Sequence, residues 1–184
     1  MIRGRALTEE EFGTELAGFS HTAFRLELQS AYAEPCEEDL LAAWLHGARP
    51  DAPSVVPELR DWYAQVARQV SEGKRVERVR VQQDPPTPYQ QFERWLDQWN
   101  VAAGELMCYM TRQRASAIGL LPAAGDTDWW LLDSSRLIIM RFDPQGHRIR
   151  TALVTRPAAV IKACAWRDLA IHHSVRAQMT DVAA

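Results

Sequence analysis

The sequence predicts an α+β protein: a mixed sheet of five to six strands, containing one parallel βαβ unit and one antiparallel hairpin, flanked by helices. Three observations lead there. Segments of period two alternate with segments of helical spacing along the chain. Residues 76–111 read as strand, helix, strand, and the right-handed crossover rule makes those two strands parallel. The apolar runs Asp128–Asp133 and Leu137–Phe142 are separated by Ser134-Ser135, as in a hairpin running through the middle of a sheet. A length of 184 residues suits one such domain, taken as residues 1–175 with 176–184 as a frayed tail.

In chain order, Thr8 followed by Glu9, Glu10 and Glu11 is an N-cap with an acidic first turn, and it opens a short helix carrying Phe12, Leu16 and Phe19. His21 to Leu28 alternates, with Phe24, Leu26 and Leu28 on one side and Arg25 and Glu27 on the other, which predicts a half-buried strand. Leu40, Leu41, Trp44 and Leu45 have helical spacing, and three prolines between Arg49 and Pro57 mark a loop. Leu59, Trp62, Tyr63, Val66 and Val70 form one helical stripe ending at Gly73, and Val76 to Val81 is a strand. Thr87-Pro88-Tyr89-Gln90 is a capping box with proline at the first helical position. From it a helix runs with Phe92, Trp95, Leu96, Trp99, Ala103 and Leu106 as its buried face, Trp95 and Trp99 expected deep in the core. Leu106 to Thr111 is the next strand; after the hairpin, Asp143-Pro144-Gln145-Gly146 is a turn, Arg148 to Val154 a strand, and Pro157 opens a last helix to about His173.

Composition narrows the function classes. The chain is 47% hydrophobic and 24% charged, with a formal net charge of −3, so it is not disordered and does not bind nucleic acid through bulk positive charge. Its basic residues are 19 arginines and 2 lysines, a skew that reflects coding bias more than a demand for phosphate ligands. Three cysteines, Cys36, Cys108 and Cys164, lack metal or disulfide spacing; a reducing, cytoplasmic setting is expected. The first residues have no apolar core of a signal peptide, and no apolar run is long enough to cross a bilayer.

The motifs HTAFRLEL (21–28), GKRVERVRV (73–81), TPYQQFE (87–93), AGELMCY (103–109), DWWLLD (128–133) and WRDLA (166–170) resemble those of an uncharacterised actinobacterial, Streptomyces-type domain family. The resemblance spans nearly the whole chain. It implies a bacterial regulatory context, often beside helix-turn-helix regulators in developmental or toxin-antitoxin-like loci, and no known chemistry. Arg156 departs from it where an aspartate cap is expected before Pro157. The order of elements from 75 to 173 is also similar to one half of a phospholipase D-like domain; the H-x-K that such hydrolases need is absent, since His21-Thr22-Ala23 and His147-Arg148-Ile149 both lack the lysine.

The strongest site expectation is the edge where two parallel strands end and the capped helix begins. Gln82, Thr87, Tyr89, Arg112 and Arg114 meet there, and helix N–H groups with guanidiniums suit a carboxylate or phosphate. His21, Arg25, Glu27, Arg78 and Arg80 are secondary candidates. A cross-strand ion-pair ladder of Glu27 with Arg78 or Arg80 outweighs a nucleic-acid surface there, because no aromatic platform is interleaved. Asp168 and His172 share a helical face without a third ligand, and no nucleophile motif is present, so neither metal nor cofactor is expected. These features favour a non-catalytic regulatory or interaction protein that docks a transcriptional regulator or senses a small anion, without direct nucleic-acid binding. The alternative is a small-molecule enzyme using His21, Glu27 and the arginines at the parallel-strand edge.

Overall fold

The structure is a computed structural model that describes residues 4–48 and 50–177. Its sheet has eight strands: β1 (Arg5–Ala6), β2 (Thr22–Glu27), β3 (Arg75–Gln82), β4 (Leu106–Thr111), β5 (Asp128–Leu132), β6 (Arg136–Phe142), β7 (Arg148–Val154) and β8 (Val175–Arg176). Six α-helices flank it: α1 (Glu9–Ala17), α2 (Glu38–Leu45), α3 (Pro57–Ser71), α4 (Pro88–Ala102), α5 (Arg112–Ala117) and α6 (Pro157–His173). The spatial order is β1-β7-β6-β5-β2-β3-β4-β8.

This is the mixed α+β fold the sequence predicts, with more strands and more parallel pairing. The β3–β4 pair is parallel and β5–β6 is an antiparallel hairpin, as expected. A second parallel pair joins β2 to β3 in the register Arg25↔Arg78 and Glu27↔Arg80; the ladder of Glu27 with Arg78 or Arg80 required these strands to be neighbours, but their direction and register were not foreseen. Its partners are separated by two helices and a proline-rich loop, so no local pattern announces it. Both crossovers lie on one face, as right-handed connections must when β2, β3 and β4 add in one direction.

That face carries α1 to α4, and the other carries α5 and α6. On the α5/α6 face, Phe24 and Leu26 of β2, Val79 and Val81 of β3, and Trp129 and Leu131 of β5 pack against Ala115 and Ala163. Opposite, Ala23, Val76, Trp130 and Ile138 meet Val66, while Tyr89, Phe92 and Leu96 pack on Tyr32 and Leu40. The central strands are therefore covered on both sides, the usual state of parallel strands with crossover helices. The half-buried strand expected at 21–28 has no solvent side: Glu27 is as enclosed as Leu26.

The capping box of α4 forms as predicted, with Thr87 Oγ1 accepting from Gln90 N and Gln90 Oε1 accepting from Thr87 N, both at 3.1 Å. Trp95 and Trp99 are only half-buried. The inward stripe is instead Tyr89, Phe92, Glu93, Leu96, Asp97 and Asn100. Positions three and four apart share a helix face whatever their polarity, and a reading of apolar residues alone rotates that face towards the tryptophans. Arg176, expected to begin a frayed tail, pairs with β4 together with Val175; residues 178–184 of that tail lie outside those described.

The β5–β6 turn places Asp133 and Ser134 at φ of 52° and 51°, the left-handed pair a tight hairpin needs. Asp133 also accepts from the backbone N–H groups of Ser20, His21 and Thr22 at 2.8, 2.7 and 3.1 Å, which locks the start of β2 beside the hairpin.

Candidate functional site

Alternation along β2 and β3 points Arg25, Glu27, Arg78, Arg80 and Gln82 towards the α3/α4 layer, while every other residue enters the opposite core. From α4, the i, i+4, i+7 set Glu93, Asp97 and Asn100 points back at them. Arg80 is the hub. Its Nε and Nη2 grip Asp97 in a bidentate pair at 3.1 and 2.9 Å, and its Nη1 donates to both Glu27 and Glu93. Arg78 donates to Glu105 from Nε at 2.8 Å and to Glu27 from Nη1 at 2.9 Å. A polar chain continues outward: Tyr109 donates to Asp97 at 2.7 Å, Asn100 to Asp97 at 3.3 Å, and Trp62 to Asn100 at 3.1 Å.

Burial and charge compete at each carboxylate. Burial pushes Glu27 upward, but Arg25, Arg78 and Arg80 together hold it down at about 2. Burial wins at Glu93, which has one arginine for company and is raised well above the ordinary range despite Arg80. Asp128 is raised by burial too, although Arg25 opposes it and its oxygens accept from Leu28 N at 2.9 Å, Gln29 and Tyr32.

Arg25 makes no aligned hydrogen bond to any carboxylate of the cluster, and Glu105 Oε2 is the other cluster atom enclosed without a partner. Arg25 Nε lies 2.9 Å from Glu27 but out of line for a hydrogen bond, and its Nη2 is 3.6 Å from Asp128, beyond hydrogen-bond reach. Besides the attraction of Glu27, two aromatic rings hold it: its guanidinium sits 5.6 Å from the Trp130 ring and 5.7 Å from Tyr32. The indole N–H of Trp130 is enclosed and likewise has no acceptor.

Arg25, Glu27, Arg78, Arg80, Glu93 and Trp130 form the floor of a cavity of about 270 Å³, whose walls include Trp62, Tyr63, Tyr89 and Phe142. Tyr32 reaches it from the segment before α2, against which the β6–β7 turn packs closely. A Cβ on Gly146, at φ +89°, would come within 2.9 Å of the Ala31 carbonyl oxygen, so glycine is what lets this turn support Tyr32. The cavity edge carries exposed Glu34 and Glu58 and the half-buried Glu37, which accepts from Tyr89 at 2.7 Å and is raised by burial. Cys36, also in the lining, is pushed up to about 11 by burial and by Glu37 and Glu34.

Among the residues expected at the strand edge, only Tyr89 lines this cavity. Thr87 is engaged in its cap and donates to Ser30 O at 2.8 Å, and Gln82 accepts from Arg94 at 2.8 Å. Arg112 donates to Leu28 O at 2.7 Å, and Arg114 lies 3.0 Å from His173 Nδ1. The secondary candidates Arg25, Glu27, Arg78 and Arg80 come together in the cluster, whereas His21 stays at the far end of β2, about 20 Å from Glu27 at the usual strand rise. Glu93, Asp97, Glu105 and Asn100 were missed. Their signal was available in the spacing of Glu93, Asp97 and Asn100 along the predicted helix, on the same face as Phe92 and Leu96.

Among the described residues there is no grouping of three or more His, Cys, Asp or Glu suited to a metal ion, and no helix is long and apolar enough to cross a membrane. No curated protein matches the chain. The model of one family, the domain of unknown function DUF6879, matches residues 10–179, so the chain belongs to that family.

Proposed function

We propose that this protein is a non-catalytic binding module whose cavity takes a small molecule, in a regulatory role. The observation that carries the reading is Arg25: a charged guanidinium on a cavity floor, ion-paired with Glu27 but with no aligned acceptor, beside an Arg80 whose three nitrogens are all engaged. A donor left in that state gains a partner when an acceptor-bearing ligand enters. Two features argue against chemistry at the same place. The Cys36 thiol is pushed away from the thiolate form that a nucleophile needs. His21 and Glu27 are too far apart to exchange a proton. In the bacterial setting that the sequence resemblance implies, ligand occupancy is passed to a partner protein, a helix-turn-helix regulator being the expected recipient.

The test is a thermal-shift screen of small carboxylates, phosphates, amines and amino acids against the full chain and Arg25→Gln, with hits measured by calorimetry. A ligand that loses about ten- to hundredfold affinity in Arg25→Gln supports the reading, that range being the value of one hydrogen bond to a charged group. Hits indifferent to the substitution, or no hit tighter than about 1 mM, overturn it.

A further inference from the structure

Charge in the cavity is uneven: the floor pairs its arginines with Glu27 and Glu93, while carboxylates outnumber cations nearer the edge. The guanidiniums of Arg25, Arg78 and Arg80 lie on the sheet floor, and Arg80 has committed its three nitrogens to Asp97, Glu27 and Glu93. Nearer the edge are three carboxylates, Glu34 and Glu58, exposed to water, and Glu37 beside them, against one cation, Arg148, which is ion-paired with Glu9. A simple anion heading for Arg25 is repelled by those three carboxylates on the way in. A simple cation is welcomed at the edge and leaves the floor donors unfilled. A molecule bearing both charges satisfies both ends.

We propose that the cavity binds a zwitterion of the amino-acid class with a ring-bearing side chain, its carboxylate on Arg25 and its ammonium on Glu37 and the neighbouring edge carboxylates. This deepens, and rests on, the assignment of the cavity as a small-molecule site. Two further observations support it. Tyr32, Trp62, Tyr63 and Trp130 provide flat apolar walls for a ring, which favours edge-to-face or offset contacts. The volume of about 270 Å³ lies just below the range of about 300 to 1,000 Å³ typical of ligand cavities, and suits a single amino acid better than a nucleotide. Glu37 gains as well: burial opposes its charged form, and an ammonium beside it offsets that cost.

The experiment compares three probes on the full chain by calorimetry: L-phenylalanine, 3-phenylpropionate, which lacks the ammonium, and phenethylamine, which lacks the carboxylate. Phenylalanine is expected to bind at least about tenfold tighter than either. Its advantage over phenethylamine should vanish in Arg25→Gln, and its advantage over phenylpropionate in Glu37→Gln. Equal or tighter binding of either single-charge probe overturns the proposal, and that comparison needs only the unmodified protein. If none of the three binds while another screened compound does so in an Arg25-dependent way, the zwitterion assignment falls and the cavity remains a binding site. If no screened compound shows Arg25 dependence, both fall.

Discussion

Glu27 and Glu93 touch the same guanidinium, that of Arg80, and are pushed in opposite directions. The difference is the count of cations: three arginines surround Glu27, one contacts Glu93. A carboxylate raised on folding contributes stability below its unfolded value, about 4.5, and that contribution is lost as pH rises through the folded value. Glu27 works the other way, contributing above about 4.5 and losing that contribution as pH falls towards about 2. Glu93→Gln, which keeps an acceptor for Arg80 and removes the buried charge, should therefore gain stability relative to the parent as pH goes from about 4 to about 8. Urea unfolding at both values measures this; a difference that does not change with pH means Glu93 is ionised in the fold. The cluster's polar residues were legible as types at β2 and β3, where Glu27, Arg78 and Arg80 stand out. What hid their burial is that alternation shows which residues share a side, not what covers that side.

At the scale of the element, α4 joins two jobs on one helix. Its capping box and proline start were readable from four residues because capping is local. Its orientation was not, because the inward face mixes Phe92 and Leu96 with Glu93, Asp97 and Asn100 and leaves Trp95 and Trp99 at the margin, Trp95 tilted against Trp44 and Trp99 edge-on to Trp95. Phe92 is fully buried between Tyr89 and Trp44. Phe92→Ala should cost about 3–5 kcal/mol, the range for large aromatic truncations in cores. Trp95→Ala should cost clearly less, since water already reaches its ring. Chemical denaturation of both variants decides it: an equal or larger loss for Trp95 places the tryptophan side of α4 in the core.

For the molecule as a whole, the sheet is strongest where it is covered twice. β2 and β3 have neighbours on both edges and helices on both faces, and the ion cluster ties them to α4. The two-residue strands β1 and β8 close the edges with few contacts. Amide hydrogen exchange should show the slowest exchange in β2 and β3 and the fastest among the strands in β1 and β8. Slow exchange at β8 equal to that of β3 would mean that the segment after α6 is an integral part of the core.

The sequence by itself determined the class of fold, the capped start of α4, the β5–β6 hairpin and the parallel β3–β4 pair, since each depends on residues close in the chain or on a crossover rule that needs only element order. Tertiary structure alone decided three things. It put β2 beside β3, across two intervening helices. It buried the polar side of both strands under α3 and α4, which turned an alternating pattern into an enclosed ion cluster. It left Arg25 facing a cavity without an aligned partner, while neighbouring arginines with the same sequence signature were engaged. Pairing across long separations and the geometry of one hydrogen bond depend on how whole elements pack, and no local periodicity carries that information.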